Sequence, residues 1–336
     1  MSAHTTDSNL QHSIENIMKN LHNESYDEWV TNFALNLPNI WNEKSATCLK
    51  PNINPENQSE IHSSIVIGRG PSLKKNKHLK LLANSNYDGS IICSDGALIS
   101  VLESGITPDK FKKFYVVTID PYSFAKKFYD AEIVKKFGSK INGIFTVISN
   151  HDAVNSARKA GINIHWIHSL FDYNEGKKSF NYTSALMVRS KNHANGLPAL
   201  QTGGNVGTSS WFVSWKILMC NVVTLIGINH SWEEDDSFEK IITHGRTTDS
   251  ERKHESVNID KNSPSFNKLF KKIYNPDFNC TGIVDPLFQF YSSALKEFIS
   301  RSPSWLNTIN ATEGGVIFGD RITSMKFIDF LQKYPH

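Results

Sequence analysis

The chain has 336 residues, with 36 Lys and Arg against 33 Asp and Glu, for a formal charge of +3. That balance excludes recruitment of nucleic acid by bulk positive charge, so no nucleic-acid partner is expected. An apolar fraction of 39%, with 20 Phe and 7 Trp, is enough for a substantial core.

Residues 1–60 form a helical N-terminal extension in this reading. Ile14, Ile17, Met18 and Leu21 recur at helical spacing, as do Trp29, Phe33 and Leu37. Lys50–Glu60, with two prolines and three asparagines, is a connector. From residue 61 to 232 strands and helices alternate. The strands are Ser63–Ile67, Ser90–Cys93, Phe114–Ile119, Gly143–Ile148, Asn163–Ile167 and Asn221–Ile226. Helical stretches lie between them at Leu73–Ala83, Ala97–Glu103, Tyr122–Phe137, Asp152–Ala160 and Val206–Met219, and Lys177–Ser190 reads as a hairpin or lid. Residues 233–265 are a polar loop or insert, and 266–336 a helical segment (Pro286–Ile299, Thr323–Leu331) that completes the domain. Such alternation predicts an α/β fold: a Rossmann-like, doubly wound, mostly parallel sheet with an N-terminal helical extension.

The four cysteines, Cys48, Cys93, Cys220 and Cys280, are scattered and form no C-x-x-C pair. Met1–Asn23 lacks a signal-peptide pattern, and no apolar run is long enough to span a bilayer. A cytoplasmic protein without a membrane partner is expected. The helical extension either packs on the same core or offers a surface for a homo-oligomer.

Ligands of open parallel sheets bind beyond the carboxyl ends of the strands, so polar residues there carry the most weight. The sequence Gly68-Arg69-Gly70-Pro71-Ser72 turns from a β-branched strand into a helix. It is neither a Walker loop nor a G-x-G-x-x-G fingerprint, but its glycines and helix start suit a phosphate. Asp95, after the next strand, either caps a helix or faces ribose hydroxyls or a metal-bound water. Asp120 ends a third strand and either caps the following helix or holds magnesium on a polyphosphate; a second acid, Asp109, precedes the same strand. In Gly203-Gly204-Asn205-Val206-Gly207-Thr208, glycines, Asn and Thr lead into a helix. This is either a second anion cradle or a helix start with Gly207 packed on the sheet. Strand Asn221–Ile226 then delivers Gly227, Asn229, His230 and Trp232, and His230 is a candidate acid or base. His151, His165, His193 and His244 are its rivals, and no zinc-ligand spacing is present.

In order, GRGPSL (68–73), Asp95-Gly96-Ala97, GITPD (105–109), Asp120, GGNVGT (203–208), Gly227 and TEGG (312–315) resemble the MptE-like family. Its namesake is the archaeal 6-hydroxymethyl-7,8-dihydropterin diphosphokinase, and its larger relatives are the motility-associated-factor glycosyltransferases. The resemblance implies a transferase that binds a nucleotide, ATP in the favoured reading, with Mg2+ and passes diphosphate to a small-molecule acceptor, a pterin alcohol. Carried over by residue, Gly68, Gly70, Pro71 and Ser72 face phosphate, with Arg69 among them. Asp95 and Asp120 face metal or substrate, and Gly203, Gly204, Asn205, Gly207 and Thr208 form the second cradle. Diphosphokinases of related architecture often carry a second acid two residues after the first, whereas Pro121 and Tyr122 follow Asp120 here. The GPSL loop is also similar to that of sialyltransferases using CMP-sugars. A nucleotide-sugar glycosyltransferase and a non-catalytic nucleotide-binding module are therefore the alternatives.

Overall fold

β-Branched runs set the sheet. The computed structural model describes residues 25–171, 176–236 and 270–335. Its strands in chain order are β1 (Lys44–Ser45), β2 (Ser63–Ile67), β3 (Ser90–Ser94), β4 (Phe114–Thr118), β5 (Asn142–Thr146), β6 (Asn163–Leu170), β7 (Ala199–Gln201) and β8 (Val222–Ile226). They are followed by β9 (Trp232–Glu233), β10 (Lys271–Asn275), β11 (Cys280–Val284), β12 (Asn307–Asn310) and β13 (Ile322–Ser324). The main sheet runs β1-β6-β5-β4-β3-β2-β8-β12-β13, every pairing is parallel, and β7 also pairs with β6.

Side chains alternate across this sheet and divide the core in two. On β2, Ile65 and Ile67 enter one apolar layer and Val66 the other. The first layer is covered by helices α1 (25–40), α3 (His78–Ala83), α4 (Leu98–Glu103), α5 (Glu132–Phe137) and α6 (His151–Lys159). Trp211 and Phe212 of α8 (Val206–Phe212) and Leu295 and Ile299 of α9 (Pro286–Ser300) build the second layer. The expected Rossmann-like doubly wound fold is the one observed. Cys93 and Cys220 are buried, and burial pushes the Cys220 thiol up to about 11.

Several elements differ from the sequence reading for identifiable reasons. The stretch Leu73–Ala83 breaks into α2 (Ser72–Lys75) and α3 because Lys77 takes a left-handed φ of 54°. Tyr122–Phe137 becomes a 3-10 turn, Ser123–Phe128, and then α5, separated where Ala131 is extended. Lys177–Ser190 holds a helix, α7 (Phe180–Met187), rather than a hairpin. The segment 266–336 is not only helical: β12 and β13 extend the main sheet, and β10, β11 and β9 form an antiparallel ribbon. Residues 323 and 324 lie in β13, so the last helix, α10, is shorter, Phe327–Lys333. These strands are two to five residues long, too short to declare a period. The Ile14–Leu21 stripe and most of 233–265 lie outside the described residues.

Topology places the site. After the short marginal strand β1, the chain crosses to the middle of the sheet with β2, adds β3 to β6 on one side, and returns to place β8 on the other side of β2. Connections leaving β2 and β8 therefore diverge and leave a crevice above their carboxyl ends. The N-terminal extension braces that end of the sheet. Asn32 Nδ2 of α1 donates to Pro121 O at 2.8 Å, and Asn36 Nδ2 donates to Ser149 O at 2.8 Å. His151 Nδ1 lies 3.0 Å from Asn36 Oδ1. Asn36 is fully buried, so truncating it leaves buried polar atoms unpaired. We expect Asn36→Ala to cost about 1–3 kcal/mol in urea unfolding. Leu35→Ala, at an exposed position on the same helix, should stay within about 0.5 kcal/mol of wild type.

Candidate functional site

A cavity of about 530 Å3 opens at the β2/β8 switch point. Five strand-end segments line it. They are Gly68–Pro71 after β2, Ser94–Gly96 after β3, Ile119 and Asp120 after β4, Gly204–Gly207 at the start of α8, and Gly227–Trp232 after β8. Phe124, Phe128, Leu287, Phe288 and Tyr291 form an apolar and aromatic wall. The sequence motifs thus converge on one place although they lie up to 160 residues apart in the chain.

The first loop differs from a simple phosphate cradle. Gly68 N–H donates to Ile226 O at 2.9 Å and Gly70 N–H to Gly227 O at 2.8 Å. Both amides are thus committed to the end of β8. A Cβ on Gly70 would overlap Asn229 Oδ1 and lie 2.7 Å from Gly227 O, and one on Gly68 would lie 2.5 Å from Ile228 Cδ1. These glycines are required for the close approach of two loops, whatever ligand sits above. Ser72 is buried behind the cavity, and its hydroxyl donates to Asn229 Oδ1 at 2.9 Å. Arg69 remains exposed, with its stem packed where a Cβ on Gly96 would be, 3.1 Å from Arg69 Cδ.

The second loop begins α8. Asn205 caps the helix by accepting from Thr208 N–H at 2.9 Å, and its Nδ2 donates to Thr208 Oγ1 at 3.0 Å. Thr208 and Gly203 are therefore structural here and do not line the cavity, whereas Gly204, Asn205 and Gly207 do. The N–H groups of Val206 and Gly207 have no protein partner among the described residues. Gly207 also serves packing, because its Cβ would stand 2.7 Å from Ile228 Cδ1.

Two acids meet on adjacent strand ends. Asp95 is buried; its Oδ1 accepts from Gly96 N–H at 2.7 Å, and its Oδ2 has no partner. Burial pushes its carboxyl up to about 6, with the Gly96 N–H, the Thr118 hydroxyl and the nearby Arg69 charge opposing. Asp120 accepts from Tyr122 N–H at 3.0 Å. Burial, and then the charge of Asp95, push it up to about 7. A hard cation suits this donor set, since magnesium is commonly held by one or two carboxylates with substrate phosphate and water completing the shell. The orphaned Asp95 Oδ2 fits such a ligand. Among the described residues no third His, Cys, Asp or Glu joins the pair. Asp109 does not: it lies at the opposite end of β4, exposed and ion-paired with Lys140.

His230 lines the cavity in a left-handed conformation (φ 47°) and stacks on Phe288 with ring centroids 6.5 Å apart. Burial pushes its imidazole down to about 3, so at neutral pH the ring is uncharged. The rival histidines are structural. His151 pairs with Asn36, His165 Nδ1 lies 2.9 Å from Asn163 O, and His193 Nε2 lies 2.6 Å from Ile40 O. His244 lies outside the described residues.

TEGG does not line the cavity but buttresses it. Glu313 Oε1 accepts from Phe327 N–H at 3.0 Å and lies 3.1 Å from the Nε2 of buried His78. Val316 N–H donates to Asn229 O at 3.0 Å, and a Cβ on Gly315 would lie 2.5 Å from Asn229 Cα. Sequence reasoning missed the aromatic wall, because α9 joins the site from more than fifty residues beyond β8. The run Pro286–Tyr291, apolar at a helix start capped by Asp285, was the available signal.

Sheet order and a ligand crevice at the switch point define a Rossmann-like domain of the doubly wound type. The family model for 6-hydroxymethylpterin diphosphokinase MptE-like proteins matches residues 31–235, and the chain belongs to this MptE-like family. Among solved structures, the MAf glycosyltransferase from Magnetospirillum magneticum AMB-1 superposes with a TM-score of 0.52 over 82% of this chain at 14% identity. This chain spans 36% of that protein, about a third of its length. A search of curated proteins found no match. At 14% identity the superposition shows a shared fold. No helix among the described residues is long and apolar enough to cross a membrane.

Raised carboxyls carry a stability signature. The folded protein holds protons on Asp95 and Asp120 that the unfolded chain releases near pH 4, so this pair contributes a loss of stability as pH rises from about 4 to about 7. Asp120→Asn removes the charged form. Its melting temperature should exceed that of wild type by about 2–4 °C at pH 8, with the gap closing by pH 5. A variant less stable than wild type at pH 8 would contradict this assignment.

Proposed function

We propose that this chain is a nucleotide-dependent transferase that moves the diphosphate of ATP onto the hydroxyl of a pterin alcohol. The observation that carries this reading is the pairing of Asp95 with Asp120 beside the loops after β2 and β8. The second acid that local spacing fails to provide after Asp120 comes from the neighbouring strand instead. Asp95 and Asp120 would hold magnesium, whose charge when bound offsets that of the phosphates.

The remaining groups bind and orient. Arg69 and the free N–H groups of Val206 and Gly207 face phosphoryl oxygens at the cavity. Phe124, Phe288 and Tyr291 offer stacking faces to planar rings. The acceptor oxygen attacks the β-phosphorus and forms the new O–P bond. The bond from that phosphorus to the oxygen bridging it to the α-phosphorus breaks, AMP leaves with the electron pair, and the acceptor's proton passes to solvent. Positioning and charge stabilisation supply most of the rate in such a transfer. Neutral His230 acts as part of the wall.

A nucleotide-sugar glycosyltransferase is the second reading, favoured by the fold shared with the MAf glycosyltransferase. Under it the base is Asp120, pushed up to about 7, rather than His230, pushed down to about 3. Incubation with ATP, magnesium and the reduced hydroxymethylpterin should yield AMP and pterin diphosphate in equal amounts. Asp95→Asn and Asp120→Asn should each lower that rate by about 10²-fold or more, and His230→Ala by less than about 10-fold. ATP left unconsumed, with stabilisation by a nucleotide sugar instead, would overturn diphosphate transfer in favour of the second reading.

A further inference from the structure

We infer that the side-chain amide of Asn229 is the phosphate-facing donor of the loop after β2, in place of the loop's own glycine amides. The inference rests on the proposed anionic nucleotide, and it starts from an accounting of donors. Gly68 and Gly70 cannot present their N–H groups to a ligand, since each donates to a main-chain carbonyl at the end of β8. Arg69 lies exposed above them. Beside them stands Asn229, which lines the cavity, is 3% exposed, and has an Nδ2 with no partner.

Four neighbours are shaped around this one residue. The Ser72 hydroxyl donates to its Oδ1 at 2.9 Å, which turns the amide and leaves the NH2 edge unpaired. Gly70 has no room for a Cβ because Asn229 Cγ lies 3.0 Å from where it would be. Gly315 has none because the Asn229 backbone fills that space, and Val316 N–H fixes the same backbone through Asn229 O. A residue kept only for packing would have its amide nitrogen satisfied, since buried polar groups are nearly always paired. A fixed, buried and unpaired N–H donor beside the crevice is what an oxyanion ligand completes. The ligand group is a phosphate or diphosphate oxygen, because the acids and Arg69 of the same cavity already define a site for a charged, metal-associated anion.

The charge-reversing variant gives the sharpest test. Asn229→Asp keeps the oxygen that accepts from Ser72 but replaces the donor edge with an anionic one, whereas Asn229→Ala removes the donor alone. Binding is measured by titration calorimetry at pH 8 with Mg-ATP, inorganic diphosphate, and CMP-, GDP- and UDP-sugars, alongside thermal melts of the ligand-free proteins. Affinity for whichever of these wild type binds should fall by about 10-fold in Asn229→Ala. In Asn229→Asp it should fall by about 10²-fold or more, with a ligand-free melt close to wild type. Should either variant lose its cooperative melt, Ser72→Ala substitutes, because freeing the amide to turn should lower affinity several-fold. Affinity within about twofold of wild type in a folded Asn229→Asp, or in Ser72→Ala, overturns the inference. A wild type that binds only a nucleotide sugar overturns diphosphate transfer yet still tests Asn229 with that ligand. A wild type that binds none of these anions overturns both.

Discussion

Two hydrogen bonds, from Gly68 N–H to Ile226 O and from Gly70 N–H to Gly227 O, join the ends of β2 and β8. They continue the parallel pairing past the strands and close the floor of the crevice at the point where the sheet's winding reverses. Everything above depends on that floor. The loops can approach so closely only without Cβ atoms at Gly68 and Gly70, and Gly227 takes a φ of 65° to turn away beneath Leu73. Ile228 and Asn229 are thereby directed back under the two cavity-lining loops, where Ile228 packs against Gly207 and Asn229 against Ser72.

On this floor the site concentrates charge it does not neutralise. Asp95 and Asp120 stand on neighbouring strands with neither ion-paired to a lysine or arginine within 4 Å among the described residues. Arg69 acts on both only through space. Burial holds both carboxyls above their ordinary range, and the charge of Asp95 adds to it at Asp120, an arrangement that costs stability and is common where a fold serves a ligand. The surrounding core is conventional, with both faces of every central strand buried.

Much of the fold was legible because the central strands are strongly β-branched and their flanking helices are periodic. Ser63–Ile67 matches its predicted bounds, and β3, β4 and β8 differ from theirs by a single residue at one end. What escaped were short elements whose existence depends on a neighbour. β12 pairs with β8 only once the chain has returned across the sheet, and β9 is two residues long. The site's loops were legible as strand ends, but hydrogen-bond accounting was not. Nothing in GRGPSL reveals that its glycine amides serve β8, or that Thr208 is occupied by Asn205. The pairing of Asp95 with Asp120 required the sheet order, since strand adjacency is a property of topology and not of spacing.

The sheet's two margins bear on how copies of this chain can assemble. Among the described strands, one margin is made by β1, with two residues, and β7, with three, both along β6, and the other by β13, with three. Margins this brief present few free main-chain groups in register, so a second molecule finds almost no template for extending the sheet. Growth by strand addition, the usual hazard of a wide parallel sheet, is blunted at both sides. Among the described residues, exposed apolar side chains gather instead on a helical surface, that of α7, where Tyr182, Leu186 and Met187 stand in solvent.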